Sequence, residues 1–435
     1  MGTKVKRFAI WLLCLAVGAA VTSRPADAQT PAGARLKFVL VLERHGVRPP
    51  TWTNARLNQF SKGPWPEWNV APGWLTPHGK RLMAAFGAYD RAWLAAGGLL
   101  SASGCADAVR VYIAADSDER TRETGRGLAD GLMPQCDLEV HARPEGANEP
   151  LFHAAGRVGK ADLRLALAAI TGRISDPAAL LPAYREQIQV MQDVLFGCVA
   201  SGCSAEGKQS LLAIEPSLTE GKGDRLPKLK GPLSTAASFA EDFQLEYLEG
   251  MPAEQVGWGR VDEEKMQALM ALHAESSWIE RRAPYIAQVQ ASNLLWHILQ
   301  TLRQASQQRP ADGAVGAPRD RAVFLVGHDT NITNVAALLG AHWLLRDYTP
   351  DDTPPGGALV FELWRRPRHS DAVRAYYVAQ SPDQMRRELP LSLASPPEKA
   401  SLFLPGCSQA GSGYPCEWSA FEHSVLNRID RAFAQ

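Results

Sequence analysis

The sequence predicts an α/β fold, with a central, mostly parallel β-sheet flanked by helices and with an inserted α-helical domain. Three short runs are almost continuously apolar, as expected for strands buried on both faces of a parallel sheet: Lys37–Leu42, Val109–Ala114 and Ala322–Gly327. Between about residues 150 and 290 the apolar residues recur at helical spacing instead. The middle of the chain is therefore predicted to be a helical insertion within an α/β domain.

Two further patterns add a helix and a hairpin to this fold. Residues Thr76–Leu100 read as a helix, with Thr76 and Pro77 as a start signal and Gly97-Gly98 as a stop. The runs Ala358–Arg366 and Val373–Gln380 are predicted to form a β-hairpin added to the sheet.

The N-terminal residues are typical of a secretory signal peptide. A basic start precedes the apolar run Phe8–Val21, and Ala26-Asp27-Ala28 offers a cleavage site. A membrane anchor is the alternative, but the run is short for a span. We therefore expect residues 1–28 to be removed, and the mature protein to be periplasmic, without membrane attachment. The rest is predicted to form an α/β domain in two parts, 29–149 and 291–435, around a helical domain at 150–290.

The charge balance argues against a general nucleic-acid-binding protein. Without residues 1–28 the chain carries 42 basic and 45 acidic side chains. A nucleic-acid binder is expected to show a strongly basic face. We expect small-molecule partners only and a monomer.

Cysteine usage agrees with export. Six cysteines follow the signal segment, an even number that suggests three disulfides in an oxidising compartment. Six cysteines allow fifteen pairings, and the sequence alone does not choose among them. The simplest pairing joins neighbours along the chain, and the spacings do not resemble a zinc site. These couples are Cys105–Cys136, Cys198–Cys203 and Cys407–Cys416.

Polar residues follow each of the three predicted buried strands. The exits carry Arg44-His45-Gly46-Val47-Arg48, then Ala115–Gly125 with Asp116 and Arg120, then His328-Asp329-Thr330. In open parallel sheets, ligands bind beyond the carboxyl ends of the strands. Three such exits at one edge of a sheet predict a functional site.

The chemistry of this set fits phosphoryl transfer. Arginine forks match phosphate oxygens, and helix N-termini after the second and third strands add N–H donors. Positive charge around His45 favours its neutral, nucleophilic form. Asp329 could protonate the leaving oxygen and later activate water. No metal or other cofactor is required, because the arginines stabilise the charge.

These motifs resemble those of the histidine acid phosphatase family. "RHGVRPP" is similar to the family's first signature and "GHDTN" to its second. Four further segments resemble the bacterial periplasmic acid phosphatase/phytase branch, namely Gly73–Gly79, Ala115–Gly125, Gly250–Arg260 and Asp351–Trp364. The resemblance implies an α/β domain with a helical domain and the hydrolysis of phosphomonoesters, including phytate (myo-inositol hexakisphosphate).

The resemblance also implies roles for individual residues. His45 corresponds to a phosphohistidine nucleophile and Asp329 to a proton donor. Phosphate binding falls to Arg44, Arg48, Arg120 and His328, and substrate positioning to Thr51, Asp116, Glu241 and Thr330. The three local cysteine couples match disulfides of the bacterial branch. Trp52 and Gln290 stand where some phytase relatives carry a lysine and an arginine, which predicts weaker phytate selectivity.

Three other functions share part of this sequence pattern. A glucose-1-phosphatase-like sugar phosphatase and a non-catalytic periplasmic phosphoanion-binding protein both remain alternatives. A phosphoglycerate mutase-like isomerase shares the Arg-His-Gly chemistry, but export argues against it. Four histidines lack the context of a strand exit and an arginine cluster and are predicted to be structural or surface residues, namely His78, His141, His153 and His423.

Overall fold

The computed structural model describes residues 33–156, 158–198, 207–223, 225–367 and 369–435. Its strands are β1 Arg35–Arg44, β2 Val111–Ala115, β3 Val140–Ala142, β4 Ser217–Leu218, β5 Leu229–Lys230, β6 Ala322–Gly327, β7 Ala358–Arg365, β8 Ala372–Ala379, β9 Glu398–Ser401 and β10 Cys416–Glu417. The predicted signal peptide lies outside the described residues.

The helices alternate with these strands and are concentrated in the middle of the chain. They are α1 Asn54–Leu57, α2 Pro77–Ala96, α3 Glu119–Leu132, α4 Leu163–Ile174, α5 Leu180–Ala183, α6 Arg185–Phe196, α7 Pro232–Leu248, α8 Glu263–Glu280, α9 Pro284–Gln307, α10 Asp329–Leu339, α11 Pro382–Arg386 and α12 Trp418–Leu426. Among the described residues, no helix combines the length and apolar character that a membrane crossing needs.

One eight-stranded sheet organises the α/β part, and it confirms the predicted fold class. The strand order is β10-β8-β7-β1-β6-β2-β3, with β9 paired to β8. The neighbours β1, β6, β2 and β3 are parallel, whereas β7 runs antiparallel to β1 and continues into the predicted β7–β8 hairpin. The carboxyl ends of β1, β6 and β2 therefore lie side by side.

Burial explains why the first three apolar runs form the middle of the sheet. All six residues of β6 are buried, and seven of the last eight residues of β1 are as well. Helices α2 and α3 cover one face of the sheet, and α9, α10 and α12 cover the other. Each strand buries its side chains on two apolar layers, so an unbroken apolar run is favoured over an alternating one.

Helix α2 begins where its sequence signals predict. The Thr76 hydroxyl accepts a hydrogen bond from the Gly79 N–H at 2.8 Å, and Pro77 occupies the first helical position. The helix ends at Ala96, directly before Gly97.

The middle of the chain has a second core of its own. Helices α4 to α8 and the short β4–β5 hairpin surround a cluster that includes Ile188, Phe239 and Leu269. Residues before β2 also enter this cluster, among them Leu57 and Trp65. Helix α9 crosses residue 290 and packs its later turns against the sheet.

Two of the three cysteine couples form disulfides within the described residues. They are Cys105–Cys136 and Cys407–Cys416, each with a Cα–Cα distance of 5.2 Å. The third couple includes Cys203, which lies outside the described residues.

Candidate active site

The three polar strand exits meet at one edge of the sheet. The backbone N–H of His45 donates to the Gly327 carbonyl at 3.0 Å, and that of Asp116 donates to the Val326 carbonyl at 2.9 Å. These bonds continue the parallel pairing of β1, β6 and β2 beyond the strands. The predicted convergence of His45, Asp116 and His328 is thus a consequence of strand order.

His45 is held with one ring nitrogen fixed. Its side chain is buried, with 2% of the residue exposed, and Nδ1 lies 2.9 Å from the Gly46 carbonyl oxygen. A carbonyl only accepts, so Nδ1 carries the proton and Nε2 keeps its lone pair. Burial, followed by the neighbouring arginines, holds the pKa of His45 well below its ordinary value.

Gly46 allows this turn to pack tightly. A Cβ at this position would lie 3.0 Å from Leu75 Cδ1 and 3.2 Å from the Gly79 carbonyl oxygen. A larger residue would push the His45 loop away from the start of α2.

Two arginines of the first motif share one carboxylate. Arg44 donates to Glu241 on α7 and to the Thr353 carbonyl, and Arg48 lies 3.4 Å from both carboxylate oxygens of Glu241. Burial alone would raise the pKa of Glu241, but Arg48 and Arg44 outweigh it and lower the pKa to about 2. Glu241 is therefore ionised and orients the guanidinium groups on the helical side of the site.

The third arginine belongs to a second cluster, built on Asp116 and His328. Nη2 of Arg120 lies 2.6 Å from Oδ2 of Asp118 and 3.4 Å from Nδ1 of His328. Since arginine only donates, His328 accepts through Nδ1 and directs Nε2–H to Asp116 Oδ2 at 2.7 Å. Burial and then Arg120 lower the pKa of His328, and they outweigh Asp116, which raises it. The lowered pKa favours the neutral imidazole.

Each of the three arginines has one N–H donor that makes no hydrogen bond with the described residues. The Nε atoms of Arg44, Arg48 and Arg120 are buried and have no hydrogen-bond partner among the described residues. A buried donor without a partner is costly, and all three arginines beside His45 carry one.

Asp329 is paired with a residue outside both motifs. It begins α10 and accepts a hydrogen bond from Arg281, which directly follows α8. Burial opposes ionisation, but Arg281 and then Arg44 hold the pKa of Asp329 well below its ordinary value. The carboxyl is consequently a carboxylate in this state of the protein.

The remaining predicted residues lie at the rim. Thr330 and Gln290 line a cleft of about 850 Å³ beside the site, together with His153. Thr51 is exposed, and both it and Arg120 lie next to Gly73. Trp52 packs against Phe239 with a centroid distance of 5.9 Å, and the Arg56 guanidinium covers its ring at 3.4 Å.

Comparison with known proteins decides the family. A model of the histidine phosphatase superfamily (branch 2) matches residues 35–166 and 236–378. The chain belongs to this superfamily.

Its relatives cover almost the whole chain. Phytase AppA of Escherichia coli strain K12 is 36% identical over 414 residues, which are 93% of this chain and 94% of that protein. A glucose-1-phosphatase of Salmonella typhimurium strain LT2 is 31% identical over 428 residues, 96% of this chain and 98% of that protein. This histidine phosphatase is therefore a phosphomonoester hydrolase.

A solved relative has the same architecture. The structure of Hafnia alvei phytase in complex with myo-inositol hexakis sulphate superimposes with a TM-score of 0.84 and 32% sequence identity. The alignment covers 93% of this chain and all of that one.

Sequence reasoning missed two residues of the site. His153, predicted to be structural or on the surface, places Nε2 2.6 Å from Asp116 Oδ2 at the site itself. Arg281 reaches Asp329 from the helical part of the chain. Neither residue directly follows a strand of the sheet, so no strand in the sequence indicates that it lies at the site.

Proposed function

We propose that this histidine phosphatase transfers the phosphoryl group of its substrate to Nε2 of His45. The ester P–O bond breaks as a P–N bond forms, and the leaving oxygen takes a proton from Asp329. Water then attacks phosphohistidine, Asp329 accepts a proton from that water, and phosphate and free His45 result. The observation that carries this proposal is the orientation of His45, whose proton is fixed on Nδ1 by Gly46.

The arginines supply the electrostatic part of the mechanism. Arg44, Arg48 and Arg120 surround His45 closely enough to lower its pKa, and the same charges would neutralise the transferring phosphoryl oxygens. Backbone N–H groups at the N-terminus of α10 add further donors, and His328 positions Arg120 through its Nδ1. Arriving phosphate would also compete with Asp329 for Arg44, which raises the pKa of Asp329 toward that of a proton donor.

Phytate is proposed as a substrate because the cleft beside the site is basic. Among the described residues that line it, four are exposed cations and one, Glu220, is acidic. The four cations lie on and around the β4–β5 hairpin and are Lys222, Arg225, Lys228 and Lys230. Its volume of about 850 Å³ is within the range of ligand pockets. A substrate with several phosphates would place one at His45 and others among these cations.

The basic cleft argues against the weaker phytate selectivity that Trp52 and Gln290 predict. Positive charge that some relatives place at those positions is supplied here by the hairpin and by Arg56. We therefore infer that phytate is hydrolysed efficiently, alongside simple monoesters. The Hafnia alvei phytase that binds myo-inositol hexakis sulphate supports the same substrate class.

The substrate proposal is tested by comparing kcat/KM for phytate and p-nitrophenyl phosphate in Lys228→Ala/Lys230→Ala. Each exposed charge contributes roughly 0–1 kcal/mol, so the double variant should lose up to about 30-fold on phytate and little on the monoester. Lys160→Ala/Lys265→Ala is the matched control, because neither lysine lines the cleft. An unchanged phytate-to-monoester ratio in the first variant would show that these lysines do not bind the other phosphates of phytate, and no phytate turnover by the native enzyme would remove phytate from the proposal.

A sugar phosphatase remains the second candidate, since glucose-1-phosphatases are among the relatives. Glucose-1-phosphate belongs in the same substrate panel. A kcat/KM for it that exceeds the value for phytate, and that the two lysine changes leave untouched, would favour this alternative.

We also propose a periplasmic location and a monomeric mature protein. The signal-like N-terminus and the two described disulfides support export, because disulfides persist in oxidising compartments. Osmotic-shock fractionation and size-exclusion chromatography with light scattering test these two expectations.

A further inference from the structure

The residues beside the phosphate site also form a set of potential metal ligands. Asp116, His153 and His328 each place one ligand atom within 4.8 Å of the other two. The Nε2 atoms of His153 and His328 lie 2.6 and 2.7 Å from the same oxygen, Oδ2 of Asp116. Asp118 adds a fourth candidate, with Oδ2 3.4 Å from Nε2 of His328.

We propose that this cluster binds a zinc-like divalent cation, which inhibits the enzyme. Two imidazoles and a carboxylate form a donor set that suits Zn²⁺, Co²⁺, Ni²⁺ or Cu²⁺ and not Mg²⁺ or Ca²⁺. Asp118, or water, would complete a four-coordinate site.

The geometry needs only a small adjustment to receive the ion. With bonds of about 2.0–2.1 Å, ligand atoms around a tetrahedral ion lie about 3.3 Å apart. The hydrogen-bonded contacts at Asp116 must therefore open by roughly 0.6 Å. His153 can supply that movement, because its side chain is 47% exposed, while Asp116 and His328 are fixed by burial.

Inhibition follows from what coordination does to His328. A neutral imidazole bound to a metal through Nε2 carries its proton on Nδ1. Without a metal, Nδ1 of His328 accepts from Arg120 at 3.4 Å. With a metal on Nε2, the Nδ1–H would face the N–H groups of Arg120, and Arg120 would be displaced. Coordination by Asp118 would also weaken its 2.6 Å ion pair with Arg120, because the cation draws negative charge from that carboxylate. This consequence rests on the proposed phosphate-binding role of Arg120, whereas metal binding itself does not.

Zinc binding is measured directly by titration calorimetry on the full mature protein, freed of any histidine tag. The expected result is one strong site per chain that His153→Asn weakens by at least roughly 100-fold, since losing even an outer-sphere partner weakens binding by about 10–100-fold. His342→Asn is the control, because His342 is an exposed histidine 2.7 Å from a single carboxylate, Asp351. Mg²⁺ and Ca²⁺ should show no comparable site.

Activity is followed in parallel with p-nitrophenyl phosphate, which avoids the metal binding of phytate. Each variant is compared with its own rate in EDTA. Zn²⁺ should inhibit the native enzyme over the same concentrations at which it binds, and His153→Asn should shift inhibition to at least about 100-fold higher concentration. If His153→Asn does not fold, His153→Gln replaces it.

Equal Zn²⁺ affinity in the native protein and His153→Asn would overturn the proposed site. Loss of the strong site in His342→Asn would do the same. Binding at His153 without inhibition would keep the site and contradict the inhibitory role assigned to it.

Discussion

At the residue scale, Asp329 is subject to two opposing requirements. As the proposed proton donor it must hold a proton, yet Arg281 and Arg44 hold its pKa well below the ordinary value. Arg281 contacts Asp329 directly, so its charge sets how much of the enzyme carries the proton at a given pH. The pH dependence of turnover is therefore the observable that links this ion pair to catalysis.

We predict that Arg281→Gln moves the alkaline limb of the kcat profile to higher pH. Removing the cation raises the pKa of Asp329, and activity that needs the protonated acid is lost as pH rises through that pKa. The measurement is kcat against pH with a poor leaving group such as phytate or an alkyl phosphate.

Asp329→Asn is the control for this experiment. It should abolish the limb, and it should slow alkyl phosphates about 10²–10⁴-fold while affecting p-nitrophenyl phosphate far less, because a good leaving group departs unprotonated. An alkaline limb that stays at the same pH in Arg281→Gln would show that Arg281 does not set the pKa of the group responsible for that limb.

At the scale of elements, the start of α2 holds the loop that carries His45. The Thr76 hydroxyl caps the helix at Gly79 and donates to Glu249 at 2.7 Å, while the Thr76 N–H donates to the Val47 carbonyl at 3.0 Å. The residue is buried, with 1% exposed. The side chain of Thr76 thus joins α2 to the region after α7, and the backbone of Thr76 joins α2 to the His45 loop.

Thr76→Ala is expected to lower the free energy of unfolding by about 1–2 kcal/mol, through loss of the cap and of the buried hydrogen bond. Thr53→Ala is the matched control, because Thr53 precedes α1 without capping it through its side chain. Chemical denaturation of both variants gives the comparison. Equal stability of the two would show that the Thr76 contacts contribute nothing net.

The same scale shows what sequence can and cannot predict. His45, Asp116 and His328 follow buried strands, and neighbouring parallel strands bring their ends together whatever the details of packing. The partners of these residues depend instead on how the helical part meets the sheet. Arg281 follows α8 and His153 lies in a loop, so no local pattern indicates that either reaches the site.

Glu241 illustrates the same limit for a residue that resemblance alone assigned to the site. Its assignment to the site came from resemblance, and its pairing with Arg44 and Arg48 depends on the approach of α7 to the end of β1. Whether Glu241 also positions substrate stays a prediction.

At the scale of the whole molecule, the two disulfides within the described part of the chain close loops of different length. Cys105–Cys136 spans 31 residues and Cys407–Cys416 spans 9. In the chain-entropy description the longer loop stabilises more, because it removes more freedom from the unfolded chain.

Cys105→Ser/Cys136→Ser should therefore cost about 4 kcal/mol of stability, and Cys407→Ser/Cys416→Ser about 3 kcal/mol. Thermal unfolding in oxidising buffer ranks the two variants. A larger loss from the shorter loop would contradict the entropic argument for this protein.

The covalent role of His45 is tested most directly by trapping the intermediate. The native enzyme is mixed rapidly with substrate, quenched at alkaline pH to preserve acid-labile phosphohistidine, and mapped by mass spectrometry. We predict a phosphoryl group on His45 during turnover, and its loss together with nearly all activity in a folded His45→Ala variant. Near-native turnover by His45→Ala, or a phosphoryl group on another residue, would contradict the mechanism.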